Sequence, residues 1–286
     1  MRTLGVIGGS GLYELDGLTD REEISHDTPW GPASDTITAG RLGETRLLFL
    51  PRHGRGHRLA PHEIEYRANI FALKAAGAEQ VISVSAVGSL REEYKPGDLV
   101  CVDQYRDETR ARPRSFFERR GLVAHVAFAD PVCDSLRDAL FAAARGVGAK
   151  VHARGTYVCI EGPQFSTRFE SKEFRAAGAD IIGMTNLPEA RLAREAELPY
   201  ASLALVTDYD AWREGAAVDM ESVIAVMRAN VETARKVVRA LAARLPDPKA
   251  SPASSALAGA IATARERIPM ETLRSLAPLL GKYFPA

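Results

Sequence analysis

Two carboxylates lie close together after an apolar run late in the chain. The run 201–206 leads, through Thr207, into Asp208 and Asp210. In an extended chain, residues two apart face the same side, so we expect these two side chains to converge on one point. Two carboxyl groups in a partly dry pocket resist simultaneous ionisation, and one of them can keep a proton near neutral pH. Such a pair suits general acid catalysis.

The same carboxylates also have plainer explanations. An Asp-rich turn, a helix N-cap or a metal-binding pair would use acidic residues at this spacing. Taken alone, the residues leave acid catalysis and these other roles equally open. A metal is the least favoured of them, because no histidine lies close to the pair in the sequence.

Several short segments carry groups that bind anions. A phosphate group needs inward-pointing N–H groups, hydroxyl donors and at least one fixed cation. The glycine turn 8–11 offers amides and a hydroxyl, while Arg52 offers a forked contact and His53 a second donor. Further hydroxyl and amide groups follow other apolar runs. The sequence therefore predicts a phosphate site formed by Ser10, Arg52, His53, Ser85, Ala86 and Thr185.

Each of these segments has another explanation when it is considered alone. A glycine turn after a first strand is often only tight packing, and Arg52 and His53 could be solvated loop charges. The main functional alternative for the turn is a dinucleotide-binding site of the Rossmann type. Against it, the segment 9–14 lacks the third glycine of that motif, and no acidic residue ends a clear second strand about 20 residues later.

Alternating strands and helices must position these segments. Apolar runs predict strands at 3–7, 46–50, 80–85, 99–102, 155–159, 181–183 and 201–207, and a glycine turn at 86–89. Helical spacing predicts helices at 63–76, 133–145, 171–176, 188–197 and 218–245. This alternation predicts one α/β domain over residues 1–286, with a central twisted, mixed β-sheet flanked by helices.

The last part of the chain differs in composition. The stretch 246–255 is rich in proline and serine, which is typical of a loop or flexible connector. A final helical segment is predicted around 270–280. We expect residues 246–286 to pack on the body of the protein or on a neighbouring subunit.

Composition excludes several classes of function. Lysine and arginine number 37, as do aspartate and glutamate, so the broad positive field of a nucleic-acid-binding protein is not expected. No charged leader and no run of about 18 apolar residues is present, and we expect a cytoplasmic protein without a membrane partner. Cys101, Cys133 and Cys159 are far apart in apolar surroundings, which predicts buried thiols. A small-molecule partner fits these features best.

Four blocks of sequence together resemble the 5'-methylthioadenosine phosphorylase branch of the trimeric purine nucleoside phosphorylases. They are 7–12, 52–57 with 66–69, 161–168 and 183–190, and the similarity extends from Gly5 to about Phe284. The resemblance implies a single-domain phosphorylase/hydrolase-like fold and a homotrimer. It also implies that inorganic phosphate, as co-substrate, cleaves S-methyl-5'-thioadenosine to adenine and 5-methylthioribose 1-phosphate, without an organic cofactor or a metal.

The resemblance assigns roles to individual residues. The six residues of the predicted phosphate site occupy positions where the family places phosphate contacts. Met184 would lie along the ribose, Phe165 would stack near the base and Ser166 would contact the purine. Without the resemblance, Phe165 and Met184 would be interpreted as core residues.

Asp208 and Asp210 distinguish between bases in this family. Relatives that act on 6-oxopurines resemble one another in carrying an asparagine where this chain has Asp208. A carboxyl pair fits a 6-amino purine, with Asp208 donating to N7 and Asp210 accepting from N6, so adenine is favoured. The alternatives are a 6-oxopurine nucleoside or methylthioinosine phosphorylase and, from another class, a non-catalytic nucleotide-binding module.

The resemblance also concerns the 5' end of the sugar. Members of the family close this pocket with residues of the adjacent subunit, and His125 matches that position. Apolar residues could line the pocket for a methylthio group: Val218, Met220, Val223, Ile224 and Leu279. Such a lining would favour a thioether over a hydroxyl by about 1–3 kcal/mol. The alternative for these residues is the core-facing side of an amphipathic helix.

Overall fold

One mixed β-sheet organises the part of the chain that the computed structural model describes, which is residues 1–9, 11–12, 14–213 and 220–285. At 220–223 the description covers the backbone only. The strands are β1 (Arg2–Gly8), β2 (Thr19–Ile24), β3 (Ile37–Leu42), β4 (Thr45–Pro51), β5 (Gln80–Ser89), β6 (Leu99–Cys101), β7 (Gln104–Glu108), β8 (Val151–His152), β9 (Thr156–Ile160), β10 (Ile181–Gly183) and β11 (Tyr200–Asp208).

The strand order explains how distant segments meet. The main path is β2-β3-β4-β1-β5-β10-β9-β7, while β11 pairs with β5 and β6, and β6 pairs with β8. Strands β1 and β11 both run parallel to β5, whereas β10 is antiparallel to it. The carboxyl ends of β1, β5 and β11 therefore lie at one edge of the sheet, where α/β proteins commonly bind ligands.

Helices cover both faces of this sheet. They are α1 (Tyr66–Ala75), α2 (Asp134–Gly146), α3 (Arg168–Ala176), α4 (Glu189–Glu195), α5 (Met220–Ala242), α6 (Met270–Ser275) and α7 (Ala277–Leu280). Helices α1, α4 and α7 pack together, and α2 packs against α5. The predicted α/β fold with a central mixed sheet is confirmed. Within the described ranges, no helix combines the length and apolar character needed to cross a membrane.

The central strands are buried on both faces because each face supports its own core. In β1, Leu4 and Val6 belong to the core beside α2 and α5, whereas Ile7 belongs to the core beside α1 and α4. A strand buried on both sides reads as a continuous apolar run, which is why β1 is visible in the sequence. Helix α2 buries Leu136, Leu140 and Ala144 at helical spacing.

The predicted turn at 86–89 is wrong, because β5 continues to Ser89. Its last residues have partners on both sides: Gly88 pairs with Asp208 of β11 and with Ile182 of β10. A Cβ atom at Gly88 would lie 3.0 Å from Asp208 Oδ1 and 3.1 Å from Asp210 Cβ. This glycine therefore allows close approach of the two aspartates rather than a chain reversal.

Four strands were not expected from the sequence, namely β2, β3, β7 and β8. Strand β2 is almost entirely exposed, and its residues TDREEI lack the alternation of a half-buried strand. It forms because β3 supplies backbone partners, from Glu22↔Ala39 to Ile24↔Ile37. Backbone pairing with β3 therefore outweighs the low strand propensity of the β2 residues.

The proline- and serine-rich stretch is not a flexible connector. It forms two short 3₁₀ helices, Pro248–Ala250 and Pro252–Ser255, in which Pro248 and Ala253 are buried. Beyond it, α7 packs on α1 of the same chain. Lys282 Nζ lies 3.0 Å from Glu197 Oε2, and the Tyr283 hydroxyl donates to the same carboxylate. These contacts hold the C-terminal segment on the body.

Candidate functional site

A cavity of about 670 Å³ opens at the carboxyl ends of β1, β5 and β11. Its volume is typical of sites that bind small molecules. The segments 57–61 and 182–185 form two of its walls, and α5 contributes Met227 and Val231. The predicted site residues that line it are Arg52, His53, Ser85, Ala86, Phe165, Ser166, Met184, Thr185, Asp208 and Asp210.

Three predicted residues lie elsewhere in this chain. Leu279 is 4% exposed and belongs to the core near α1, so it cannot line the cavity. Ile224 is 47% exposed and does not line the cavity, whereas Met227 and Val231, further along α5, do. His125 is exposed, and its amide donates to Ala260 O at 2.8 Å. Because His125 was predicted to act in a neighbouring subunit, its role stays a prediction.

Some predicted residues lie outside the described part of the chain. They are Ser10 and Val218, together with the side chains of Met220 and Val223. Their roles in the phosphate site and in the 5' pocket stay predictions.

Arg52 lines the cavity and is held in a buried ion pair with Glu189. Its Nε is 2.7 Å from Glu189 Oε2, and its Nη2 donates to Glu189 Oε1 and to Ser83 Oγ. Burial disfavours the cation, but the Glu189 carboxylate outweighs burial and keeps the pKa of Arg52 above its ordinary value. The fork of the guanidinium is therefore occupied by Glu189, which corrects the predicted forked phosphate contact.

Among the described residues, one donor of Arg52 has no partner and is left for a ligand. A guanidinium has five N–H groups, and Nη1 uses one of its two on Val84 O at 3.3 Å. Nearby, Ser85 Oγ is buried without a hydrogen-bond partner among the described residues. A buried hydroxyl of this kind is costly unless something pairs with it. Together these groups can bind an oxygen-rich anion.

The Thr185 amide and the His53 imidazole differ from their predicted donor roles. The Thr185 amide donates to the Tyr157 hydroxyl at 3.3 Å, so this amide already has a partner within the protein. Nδ1 of His53 lies 2.8 Å from Leu59 O and must carry a hydrogen, because a carbonyl only accepts. Burial lowers the pKa of His53 to about 4. At neutral pH its Nε2 is therefore an acceptor and not the second donor that was expected.

Asp208 and Asp210 line the same cavity and do converge, although for a different reason than strand alternation. The pairing of β11 with β5 shifts register between Val206 and Asp208, and Asp210 follows the strand with φ 41°. This turn allows the Asp210 amide to donate to Asp208 Oδ1 at 2.8 Å. The pair is a tight Asx-type turn, with its carboxyl groups on the cavity wall.

Burial raises the pKa values of both aspartates. For Asp208, the Thr207 hydroxyl and the Asp210 amide oppose this effect, while the charge of Asp210 adds to it. For Asp210, the hydroxyls of Ser171 and Ser166 oppose burial. Two nearby acids whose surroundings differ can hold one proton between them, which is what an acid and an acceptor require.

A buried arginine connects the walls of the cavity. Arg112 Nε donates to Glu161 Oε1 at 2.7 Å, and its Nη2 donates to Glu161 O at 2.6 Å. Its Nη1 donates to Met184 O at 2.7 Å and to Leu187 O at 2.8 Å. The segment after β9, which carries Phe165, is therefore joined to the segment after β10.

Sequence reasoning missed Glu189, Arg112 and Ser171. All three contact other side chains or backbone carbonyls. Arg112 and Ser171 lie outside the four blocks of sequence named above, whereas Glu189 lies within the block 183–190, which was the signal that could have found it. For Met227 and Val231, helical spacing of four residues was the signal that could have found them. The prediction used the same helix but chose positions closer to its beginning.

Comparisons with known proteins identify the family of this chain. Residues 3–243 match the family model described as "Phosphorylase superfamily". The S-methyl-5'-thioadenosine phosphorylase of Geobacter sulfurreducens is 50% identical over 99% of both chains. That of Chloroflexus aurantiacus is 52% identical over 99% of this chain and 98% of its own.

Solved structures give the same result. A methylthioadenosine phosphorylase from an antarctic soil metagenomic library superposes with a TM-score of 0.91 at 47% identity, over 98% of this chain and 99% of its own. A mutant adenosine/methylthioadenosine phosphorylase of Schistosoma mansoni, solved with methylthioadenosine, has a TM-score of 0.82 at 35% identity, over 91% of this chain and 98% of its own. The chain therefore belongs to the phosphorylase superfamily and, within it, to the S-methyl-5'-thioadenosine phosphorylase family.

Proposed function

We propose that this protein is an S-methyl-5'-thioadenosine phosphorylase, which uses phosphate to release adenine and 5-methylthioribose 1-phosphate. The observation that carries the proposal is that one cavity is lined both by anion-binding groups and by two carboxyl groups. The relatives named above bear this activity in their names. The Schistosoma mansoni structure holds methylthioadenosine itself.

The phosphate end of the cavity supplies the nucleophile. The remaining N–H of Arg52 and the hydroxyl of Ser85, which have no partner among the described residues, bind phosphate oxygens, while Thr185 and Ala86 line the same cavity. Neutral His53 accepts the O–H of a hydrogen phosphate through Nε2. Ser10 completes this site. Fixed donors of this kind stabilise charge without reorganising during the reaction.

The base end of the cavity supplies the acid. Asp208 donates its proton to purine N7, Asp210 accepts from the N6 amino group, and Phe165 and Ser166 lie beside the base. As the glycosidic bond breaks, its electron pair moves to the purine and N7 takes the proton. A phosphate oxygen then forms the new bond to the anomeric carbon, whose positive charge the phosphate has stabilised. Neither an organic cofactor nor a metal is required for these steps.

The sugar lies between these ends. Met184 lies along the ribose, and Met227 and Val231 give an apolar wall that suits a methylthio group. His125 of a neighbouring subunit closes the 5' pocket in a homotrimer. We place the enzyme in the cytoplasm, in purine and methionine salvage, because its products are a free purine and a methylthio sugar phosphate.

A substrate panel tests the proposal. Methylthioadenosine, adenosine, methylthioinosine and inosine are each incubated with the enzyme, with and without phosphate, and release of base is measured. We expect phosphate-dependent release of adenine, with methylthioadenosine preferred. Predominant turnover of inosine or methylthioinosine would instead identify a 6-oxopurine enzyme. Binding of purine without any release would identify a non-catalytic module.

A further inference from the structure

Asp210 receives two hydroxyl hydrogen bonds on one oxygen atom. Ser166 Oγ lies 3.0 Å from Asp210 Oδ2, and Ser171 Oγ donates to the same Oδ2. Ser171 lies on α3 and is fully buried. Among the described residues, its hydroxyl has no other acceptor. A hydroxyl that donates to a carboxyl oxygen stabilises the ionised form over the acid.

Asp208 is less well supplied with donors. The Thr207 hydroxyl lies 2.7 Å from Asp208 Oδ2 but also 3.2 Å from Val87 O, so one hydrogen serves two acceptors. The remaining donor is the Asp210 amide. Asp208 also faces the negative charge of Asp210, which disfavours its own ionisation.

Among the described residues, no other charge reverses this difference. In the described structure neither aspartate makes an ion pair, and the titratable group that faces Asp210 is Asp208. Strand β5 contributes the uncharged Gly88 at this point. On α3, Arg175 stacks on the Trp212 ring at 3.8 Å from its centroid. The other charged residues of α3 are exposed to solvent, namely Arg168, Glu170, Lys172 and Glu173.

We propose that Ser171 is a positioning residue that holds Asp210 as a carboxylate and thereby leaves the transferable proton of the pair on Asp208. The inference rests on the proposed function, because it specifies which aspartate is the acid toward N7 and which is the acceptor from N6. Ser171 acts through Asp210 and does not line the cavity.

The arrangement determines how activity depends on pH. Turnover requires Asp210 ionised and Asp208 protonated, so kcat/KM should follow a bell-shaped curve. Protonation of Asp210 produces the acid limb, and ionisation of Asp208 produces the basic limb. Removing a hydrogen-bond donor of one aspartate should therefore shift one limb of the kcat/KM profile and leave the other in place.

The test compares Ser171→Ala with Thr207→Val. Loss of the Ser171 hydroxyl should move the acid limb of the kcat/KM profile upward by about one pH unit, which is about a tenfold loss at a pH on that limb. The basic limb should stay in place. Thr207→Val should instead move the basic limb upward by a similar amount. Ser171→Cys keeps the volume but donates weakly, so its acid limb should lie between those of the wild type and Ser171→Ala.

A control variant separates the effect of losing any buried hydroxyl from the effect of losing the Ser171 hydroxyl. Thr45 is buried, and its hydroxyl donates to Ala242 O at 2.7 Å, far from the pair in the fold. Thr45→Val should lower the thermal midpoint without moving either limb. An unshifted acid limb in a folded Ser171→Ala or Ser171→Cys protein overturns the proposal.

Carbon-13 NMR titration of the aspartate carboxyl groups tests the proposal without turnover. The two signals are assigned with Asp208→Asn and Asp210→Asn proteins. We expect Asp210 to ionise at lower pH than Asp208 in the wild type, and its titration to move upward in Ser171→Ala. The reverse order overturns the inference. Failure of the wild type to release adenine would overturn the proposed function and leave this titration as a separate result.

Discussion

Asp208 and Asp210 occupy the same wall of the cavity, but each is held by its own set of donors. Asp210 is only 3% exposed and is bonded by two serine hydroxyls, whereas Asp208 shares a threonine hydroxyl with a carbonyl. In a partly dry pocket, one such hydrogen bond determines which acid is ionised first. Which aspartate is the acid and which is the acceptor therefore depends on neighbouring residues that need not touch the substrate.

Replacing Asp208 by asparagine should affect activity far more than stability. The amide keeps the volume of the carboxyl group but cannot donate an acidic proton to N7. We expect kcat/KM for methylthioadenosine to fall by about a hundredfold to ten-thousandfold, as measured by adenine release at saturating phosphate. The midpoint of thermal unfolding should change little.

The matched control is Asp20→Asn, at an exposed carboxylate 3.9 Å from Arg41. Exposed pairs of this kind contribute little to stability, so both activity and unfolding should be unchanged. Wild-type turnover by Asp208→Asn would remove Asp208 from the acid role.

The sequence indicated this carboxyl pair but not its geometry. Alternation along a strand predicted that the side chains face one side, whereas a positive φ at Asp210 and a shift of register in β11 actually bring them together. Ser171 and Glu189 were not predicted, since a buried hydroxyl or carboxylate gains its partner only when distant elements pack. Side-chain pairing of this kind leaves no periodic signal in the sequence.

At the level of helices and strands, Arg112 joins the ends of β9 and β10. Its donors reach carbonyl oxygens of Ile160, Glu161, Met184 and Leu187. These carbonyls belong to the two segments whose next residues line the cavity. One guanidinium therefore holds the segment that carries Phe165 at a fixed distance from the segment that carries Met184.

Arg112→Lys tests whether the planar guanidinium of Arg112, and not only its positive charge, holds the two segments together. Lysine keeps the cation but loses the planar fork, so several of these carbonyls lose their donor. We expect kcat/KM for the nucleoside to fall by about tenfold to a hundredfold, mainly through a higher KM, because the walls are no longer held at a fixed distance. Steady-state kinetics at saturating phosphate measure the effect.

Arg137→Lys provides the comparison, because Arg137 is also buried but pairs with Asp134 and Asp138 at α2. It should lower stability without changing the nucleoside KM. Equal kinetic effects of the two substitutions would show that the role of Arg112 is only structural.

The elements themselves were largely predictable because the central strands are buried on both faces. Runs such as β1 and β11 are continuously apolar, and α2 shows helical spacing of its buried residues. The peripheral strands β2 and β7 were not predictable, since they depend on neighbouring strands rather than on apolar content. The extension of β5 was missed because a glycine that permits close approach looks like one that permits a turn.

Across the whole molecule, folding and ionisation are coupled at groups remote from the chemistry. Glu195, at the end of α4, is 6% exposed and accepts from the Phe116 amide at 2.8 Å. Burial raises the pKa of Glu195 from 4.5 to about 7, and the amide opposes this only in part. Its protonated form therefore favours the folded state.

The free energy of unfolding of Glu195→Gln, compared with that of the wild type, should be more favourable at pH 8 than at pH 5. Because the folded pKa lies above the unfolded value, the contribution of this group to stability is present below about pH 4.5 and is lost as the pH rises through about 7. In the wild type this loss amounts to about 2–3 kcal/mol between pH 5 and pH 8. The glutamine protein should not show it.

Urea denaturation of both proteins at the two pH values gives the four free energies of unfolding that are needed. Glu232→Gln, at an exposed position on α5, serves as the control and should follow the wild type at both pH values. If the free energies of unfolding of the wild type and Glu195→Gln differed by the same amount at pH 5 and at pH 8, the raised pKa of Glu195 would be contradicted.

The hydrogen bond from His53 Nδ1 to Leu59 O has a consequence for anion selectivity. It leaves a lone pair on Nε2 of this cavity-lining ring, because the neutral imidazole has only one hydrogen. Hydrogen phosphate carries an O–H at neutral pH and can meet that lone pair. Sulfate has no such hydrogen at this pH, so we expect phosphate to bind more tightly than sulfate, although the two anions have nearly the same size and shape.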